Sequence, residues 1–133
     1  MKLKIGVFNV KWMRRLFNRD GTPKTSGEDF ERSLELAKII KKMDVDFLGI
    51  VEGPDTLVDG SRTASMQLEN WVQEFGLNSN YKGVHGIPSP GQQELCAIYD
   101  SSKMNVRFTP KARGENRFDQ PFFVDTTNKL IKE

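Results

Sequence analysis

Val45-Asp46-Phe47-Leu48-Gly49-Ile50-Val51-Glu52, stopped by Gly53-Pro54, is the stretch that decides the fold. It is almost continuously apolar, the pattern of a strand buried on both faces inside an α/β sheet. Just before it, Phe30, Leu34, Ala37, Ile40 and Met43 recur at helical period as one apolar stripe. Ser26-Gly27-Glu28-Asp29 fits a capping box at the start of that helix, and Lys38, Lys41 and Lys42 lie near its end, where the dipole favours cations. Further back, Leu3-Lys4-Ile5-Gly6-Val7-Phe8-Asn9-Val10 reads as another strand buried on both faces. Strand, helix and strand at this spacing predict a βαβ unit with parallel strands and a right-handed crossover.

Between the first strand and the helix, Lys11 to Gly27 is polar and basic, with Arg14, Arg15, Arg19, Lys24 and the breakers Asp20-Gly21-Thr22-Pro23. It reads as a long loop. A second helix is expected from about Thr63 to Phe75, with Ala64, Leu68, Trp71, Val72 and Phe75 on one face and Gly76 as its stop. Short strands follow at Tyr81 to Ile87 and Glu94 to Asp100, joined as a hairpin through Pro88-Ser89-Pro90-Gly91. Met104 to Phe108 is expected to extend that hairpin into a meander, Thr109 to Gln120 is irregular, and Phe122-Phe123-Val124-Asp125 reads as one more strand. The fold class expected is α/β (α+β), one mixed sheet with two main helices on one face, in a single domain over residues 1–133.

The chain has 133 residues, enough to bury a core without disulfides or structural metal. Its one cysteine, Cys96, excludes an internal disulfide and a cysteine-rich zinc site, and reads as a buried thiol. Its one histidine, His85, excludes a His-Glu-x-x-His site, and in an alternating strand it reads as a surface or hairpin residue. No apolar run approaches the roughly 18 residues of a membrane span. Met1-Lys2-Leu3-Lys4 lacks the features of a secretory signal, so a cytoplasmic location is expected. A net charge of +2 is too small to argue for nucleic acid from bulk charge.

Two polar residues end otherwise apolar strands, Asn9 and Glu52. In a parallel pair both strand ends lie at the edge of the sheet where open α/β sheets bind ligands. An amide oxygen and a carboxylate converging there are hard donors suited to Mg²⁺ or Mn²⁺. The alternative is an Asn9 that caps a turn and a solvated Glu52. Asp55 and Asp59 could reach the same place, or belong to an ordinary turn. Trp12, among Arg14, Arg15 and Arg19, could lie on a nucleotide or sugar, or pack down on the fold. Arg117 could contact a phosphate or be a solvated loop arginine. Trp71 and Phe75 share a helix face with Leu68 and belong to the core.

The strand ending in Asn9, the capped helix and the Asp46-Phe47-Leu48-Gly49 strand ending in Glu52 together resemble the endonuclease/exonuclease/phosphatase superfamily, the deoxyribonuclease I-like hydrolases. Gly91-Gln92-Gln93-Glu94-Leu95-Cys96-Ala97-Ile98-Tyr99 is similar to the family's central strand, and Arg117 to Pro121 before Phe122 to its Arg-x-Pro segment, with spacing two residues longer. The resemblance implies a phosphoester hydrolase of nuclease or phosphatase type, dependent on Mg²⁺ or Mn²⁺. Glu52 would hold the metal, Asn9 would help position metal or phosphate, and Arg117 would bind substrate. It covers only the family's N-terminal half, half of a four-layer α/β/β/α sandwich. The Gly-Asp-x-Asn and Ser-Asp-His motifs of the second half do not occur in these residues, so the chain is expected to be incomplete and inactive alone.

In that fold two sheets pack face to face. A single sheet would leave an inner face, expected to carry residues such as Phe8 or Phe47, without cover, which favours self-association or a partner that supplies the other half. The partners expected are therefore a phosphate-ester substrate, nucleic acid included, and a second copy. Two other readings compete: a non-catalytic module that binds a partner or nucleic acid through the basic loop, and a flavodoxin-like domain, against which the late hairpin argues.

Overall fold

Strand β1 (Ile5–Asn9) pairs in parallel with β2 (Phe47–Gly53), Ile5 opposite Phe47 and Asn9 opposite Val51, and α1 (Glu28–Met43) makes the crossover. The computed structural model of the protein describes residues 2–54, 63–86, 94–108 and 122–126. After α2 (Ala64–Glu74), β3 (Tyr81–His85) and β4 (Glu94–Asp100) form the expected antiparallel hairpin, with Lys82 opposite Tyr99; its turn lies outside the described residues. β4 also pairs antiparallel with β2, so the sheet is mixed, in the order β1-β2-β4-β3. The class is α+β.

Both helices lie on one face. Leu36, Ala37 and Ile40 of α1 and Leu68, Trp71 and Val72 of α2 share a core with Leu48, Ile50 and Ile98 of the sheet. Trp71 is the bulkiest of the buried side chains, and its indole N–H donates to Ser33 Oγ at 3.0 Å. That requirement turns α1. Its buried face runs through Ser33, Leu36, Ala37 and Ile40, while Leu34, expected in the stripe, is 37% exposed. The expected capping box does not form either. Gly27 is the N-cap, with a left-handed φ of 86°, and the Asp29 carboxylate pairs with Lys24 Nζ at 2.7 Å.

Three other expectations are corrected. The basic segment after β1 is not only loop, because a 3₁₀ turn at Met13–Leu16 buries Met13 and Leu16 completely. Met13, Leu16 and Phe17 recur at i, i+3 and i+4 and face the core, while between them Arg15 is exposed and Arg14 half-buried. β1 is not buried on both faces: it is an edge strand, and Ile5 and Val7 are 68% and 71% exposed. Phe8 and Phe47 do not share a face, since Phe8 packs on the helix-side core and Phe47 on the other.

β5 (Met104–Phe108) does not continue the hairpin as a meander. The turn after β4, closed by Lys103 N–H to the Asp100 carbonyl at 3.1 Å, takes the chain out of the sheet, and β5 pairs instead with β6 (Phe122–Thr126). Met104 and Val106 then pack on Val84, Ala97 and Tyr99, a second small core on the face away from the helices. Lys103 also reaches back, its Nζ 2.7 Å from Asp46 Oδ1, while Lys4 N–H donates to Oδ2 at 2.8 Å. The Lys103 hydrogen bond holds the buried Asp46 carboxyl below the ordinary 3.8, and the Lys4 amide assists.

Two outcomes follow from this packing. A Cβ on Gly83 would stand 2.7 Å from the Ser65 carbonyl oxygen and 3.1 Å from its Cα, both backbone atoms of α2. Gly83→Ala should cost about 1–3 kcal/mol in urea denaturation, whereas Gly49→Ala, with its nearest atom at 3.6 Å, should leave the midpoint almost unmoved. Because Asp46 is depressed in the folded state, its stabilisation is complete above 3.8 and is lost as pH falls through the folded value. Acid titration of Asp46→Asn, followed by circular dichroism, should show a shallower loss of stability in that range.

Candidate functional site

The parallel β1–β2 pair brings Asn9 and Glu52 to the same edge, and the backbone there is unusual. Lys11, Trp12 and Glu52 all have left-handed φ, at 51°, 62° and 60°. Such values are uncommon away from glycine and cost free energy that the surroundings must supply. At Glu52 the cause is a β-bulge: the register of β2 against β4 shifts between Ile50 and Gly53. An extra residue there re-aims a side chain that would otherwise continue the alternation of the strand.

The carboxylate is turned toward the start of the basic segment. Glu52 Oε2 accepts the Trp12 N–H at 3.0 Å, and Asn9 Oδ1 accepts the Lys11 N–H at 2.9 Å. These are consecutive amides, so the two side chains are held side by side. Asn9 therefore caps a turn and stands at the site at once. From α1, Arg32 Nη2 donates to the carbonyls of Val10 and, at 2.6 Å, of Lys11, clamping the same two peptides from the other side. Among the described residues no other hydrogen-bond donor to Glu52 is found.

Trp12 does not offer a bare ring. The guanidinium carbons of Arg14 and Arg15 lie 5.2 and 5.5 Å from its ring centroid, a cation–π arrangement that gathers two positive charges beside the loop. Arg14 Nε is buried without a hydrogen-bond partner.

One carboxylate oxygen beside an amide oxygen fits a hydrated Mg²⁺ or Mn²⁺, which keeps several waters and needs only one or two carboxylates together with substrate oxygens. No group of three His, Cys, Asp or Glu side chains suited to a metal occurs among the described residues, so a cage built from protein alone is not formed by them. Arg117, Asp55 and Asp59 lie outside the described residues.

Of the two readings of His85, surface or hairpin, the hairpin one holds: it is a half-buried residue of the β3–β4 hairpin. It sits at the end of β3, which runs parallel to β2 through β4, and its Nδ1 is 2.5 Å from Ser65 Oγ in the first turn of α2. Burial pushes its imidazole below the ordinary 6.5. The signal was the alternation Tyr81-x-Gly83-x-His85, which places it on the face that packs against α2. Cys96 is buried as expected, its Sγ 3.9 Å from the Ile50 carbonyl, and Trp71 and Phe75 are core, with ring centroids 5.2 Å apart. The Arg32 clamp and the Trp12 amide were not visible in the sequence.

No family model, curated protein or solved structure matches the chain.

Because the folded imidazole titrates below 6.5, the unfolded chain takes up a proton first as pH falls. Stability should be complete above 6.5 and decline below it. As His85 is the one histidine, the decline between neutral and mildly acidic pH should disappear in His85→Asn, measured by urea midpoints at a series of pH values.

Proposed function

We propose that the protein is a metal-dependent phosphoester hydrolase domain of the endonuclease/exonuclease/phosphatase type, acting at the edge where Asn9 and Glu52 meet. One observation carries the reading. Glu52 is held in a left-handed bulge beside Asn9, with one oxygen fixed by the Trp12 amide and no second donor among the described residues. Strained non-glycine backbone concentrates at functional sites, and this bulge turns a carboxylate out of its ladder toward the loop after β1.

On this reading Glu52 and Asn9 present hard oxygens to Mg²⁺ or Mn²⁺. A bound metal would stabilise charge on the phosphate and the leaving oxygen. Lys11, Arg14 and Arg15 border the same place and raise the local concentration of a polyanionic substrate. Arg32 keeps the Lys11 and Trp12 peptides in the conformation that orients both oxygen donors. The groups that would orient the attacking water and protonate the leaving group belong to the Gly-Asp-x-Asn and Ser-Asp-His motifs, which residues 1–133 lack. The four-layer arrangement is part of the same proposal, with β5, packed on β3 and β4 and paired with β6, as the start of a second sheet.

Mn²⁺ binding, followed by electron paramagnetic resonance, tests the reading in this chain. Glu52→Gln should weaken it by at least about tenfold, the lower end of the loss seen when metal-site partners are removed. In any form restored to activity on bis(p-nitrophenyl) phosphate, Glu52→Ala should abolish turnover. Unchanged Mn²⁺ affinity in Glu52→Gln would sink the assignment. The stack of Arg14 and Arg15 on Trp12 favours a second reading, a non-catalytic nucleic-acid module. In that case oligonucleotide binding would fall steeply with salt and would be indifferent to Glu52.

A further inference from the structure

We infer that β1 is the pairing edge of a symmetric dimer, joined antiparallel to β1 of a second copy. The inference does not depend on the proposed activity. It begins with the two edges of the sheet, which the chain treats differently. At the β3 edge, the Gly83 N–H is taken by Glu69 Oε1 at 3.0 Å, and Lys82 stands exposed next to it. A side-chain cap and an edge lysine are ordinary ways of blocking further strand addition.

The β1 edge has neither. Lys4 C=O accepts from Phe47 N–H at 3.2 Å and Val10 N–H donates to Val51 C=O at 3.1 Å, so the even-numbered residues are those bonded to β2. Backbone alternation then turns the N–H and C=O of Ile5, Val7 and Asn9 toward the open edge, where no strand among the described residues takes them. The same strand carries the two most exposed large apolar side chains among the described residues, Ile5 at 68% and Val7 at 71%. No proline or charge interrupts Ile5-Gly6-Val7-Phe8-Asn9. Unpaired backbone and uncovered apolar side chains therefore coincide at one edge, and what satisfies both is another extended strand.

Charge and register select a second copy. Lys2 and Lys4 lie at one end of β1. Antiparallel pairing about a dyad at Gly6 sends the two lysine ends apart, placing Lys4 opposite Phe8 and Leu3 opposite Asn9 of the other copy. Parallel pairing would stack lysine on lysine. In the antiparallel register Ile5 faces Val7 twice, and each pair exchanges both outward backbone groups. Cross-strand pairs of β-branched residues stabilise such a ladder, and an isologous two-fold contact closes on itself. The product is one continuous sheet of two four-stranded halves.

The test is sedimentation equilibrium of the full chain across micromolar concentrations, together with amide hydrogen exchange. The expected species has twice the 15.2 kDa mass, with slow exchange at the Ile5 and Val7 amides. Val7→Lys and, independently, Ile5→Lys should each weaken association by at least about tenfold and return those amides to fast exchange. Both positions are exposed, and circular dichroism reports whether each variant remains folded. A wild-type chain that is monomeric throughout would overturn the inference. So would a dimer that survives both substitutions, or one whose Ile5 and Val7 amides exchange fast.

Discussion

Two demands on β2 organise the rest of the structure. It is the only described strand paired with both a parallel and an antiparallel neighbour, β1 and β4, and its Leu48 and Ile50 lie under both helices. It must also release Glu52 at its end from the ladder. The bulge between Ile50 and Gly53 reconciles the two. Up to Ile50 the strand is an ordinary buried element. One residue after Val51, the backbone enters a left-handed conformation and the carboxylate turns onto the Trp12 amide. The loop after β1 is shaped to receive it, with two more left-handed residues and the Arg32 clamp on its carbonyls.

The two faces of the sheet have unequal cover. Both helices and the 3₁₀ turn fill one face, whereas on the other Met104 and Val106 of β5 cover Val84, Ala97 and Tyr99 and leave Ile5 and Val7 in solvent. The asymmetry traces to the turn after β4. Asp100 accepts the Ser102 N–H and hydroxyl as well as the Asn78 amide, fixing a tight reversal that turns β5 out of the sheet. Burial pushes the Asp100 carboxyl up, but these hydrogen bonds outweigh it and the net displacement is downward. The Lys103–Asp46 pair ties the same turn to the start of β2. The edge opposite the candidate site is thus held by buried polar contacts, and the site edge is left to a loop and a bulge.

Much of this was legible in the residues. Nearly continuous apolar runs identified β1 and β2, stripes at helical period α1 and α2, and short strands about a turn the β3–β4 hairpin, because hydrophobic burial leaves such patterns wherever an element meets a core. Asn9 and Glu52 were legible as polar ends of apolar strands. Other features depend on contacts between residues far apart in the chain. Ser33 is buried because Trp71 needs an acceptor. Met13 and Leu16 are buried although arginines surround them in sequence, since three apolar residues at i, i+3 and i+4 suffice for a short turn to dock.

The sequence by itself determined the order and type of the elements and the parallel strand ends that bring Asn9 and Glu52 together, because local periodicity and the short crossover leave few other arrangements. Tertiary structure alone decided which strand became an edge, which face of α1 was buried, where β5 paired and how Glu52 was aimed. Those choices rest on long-range hydrogen bonds and on one displaced residue in a ladder, and no local pattern encodes either.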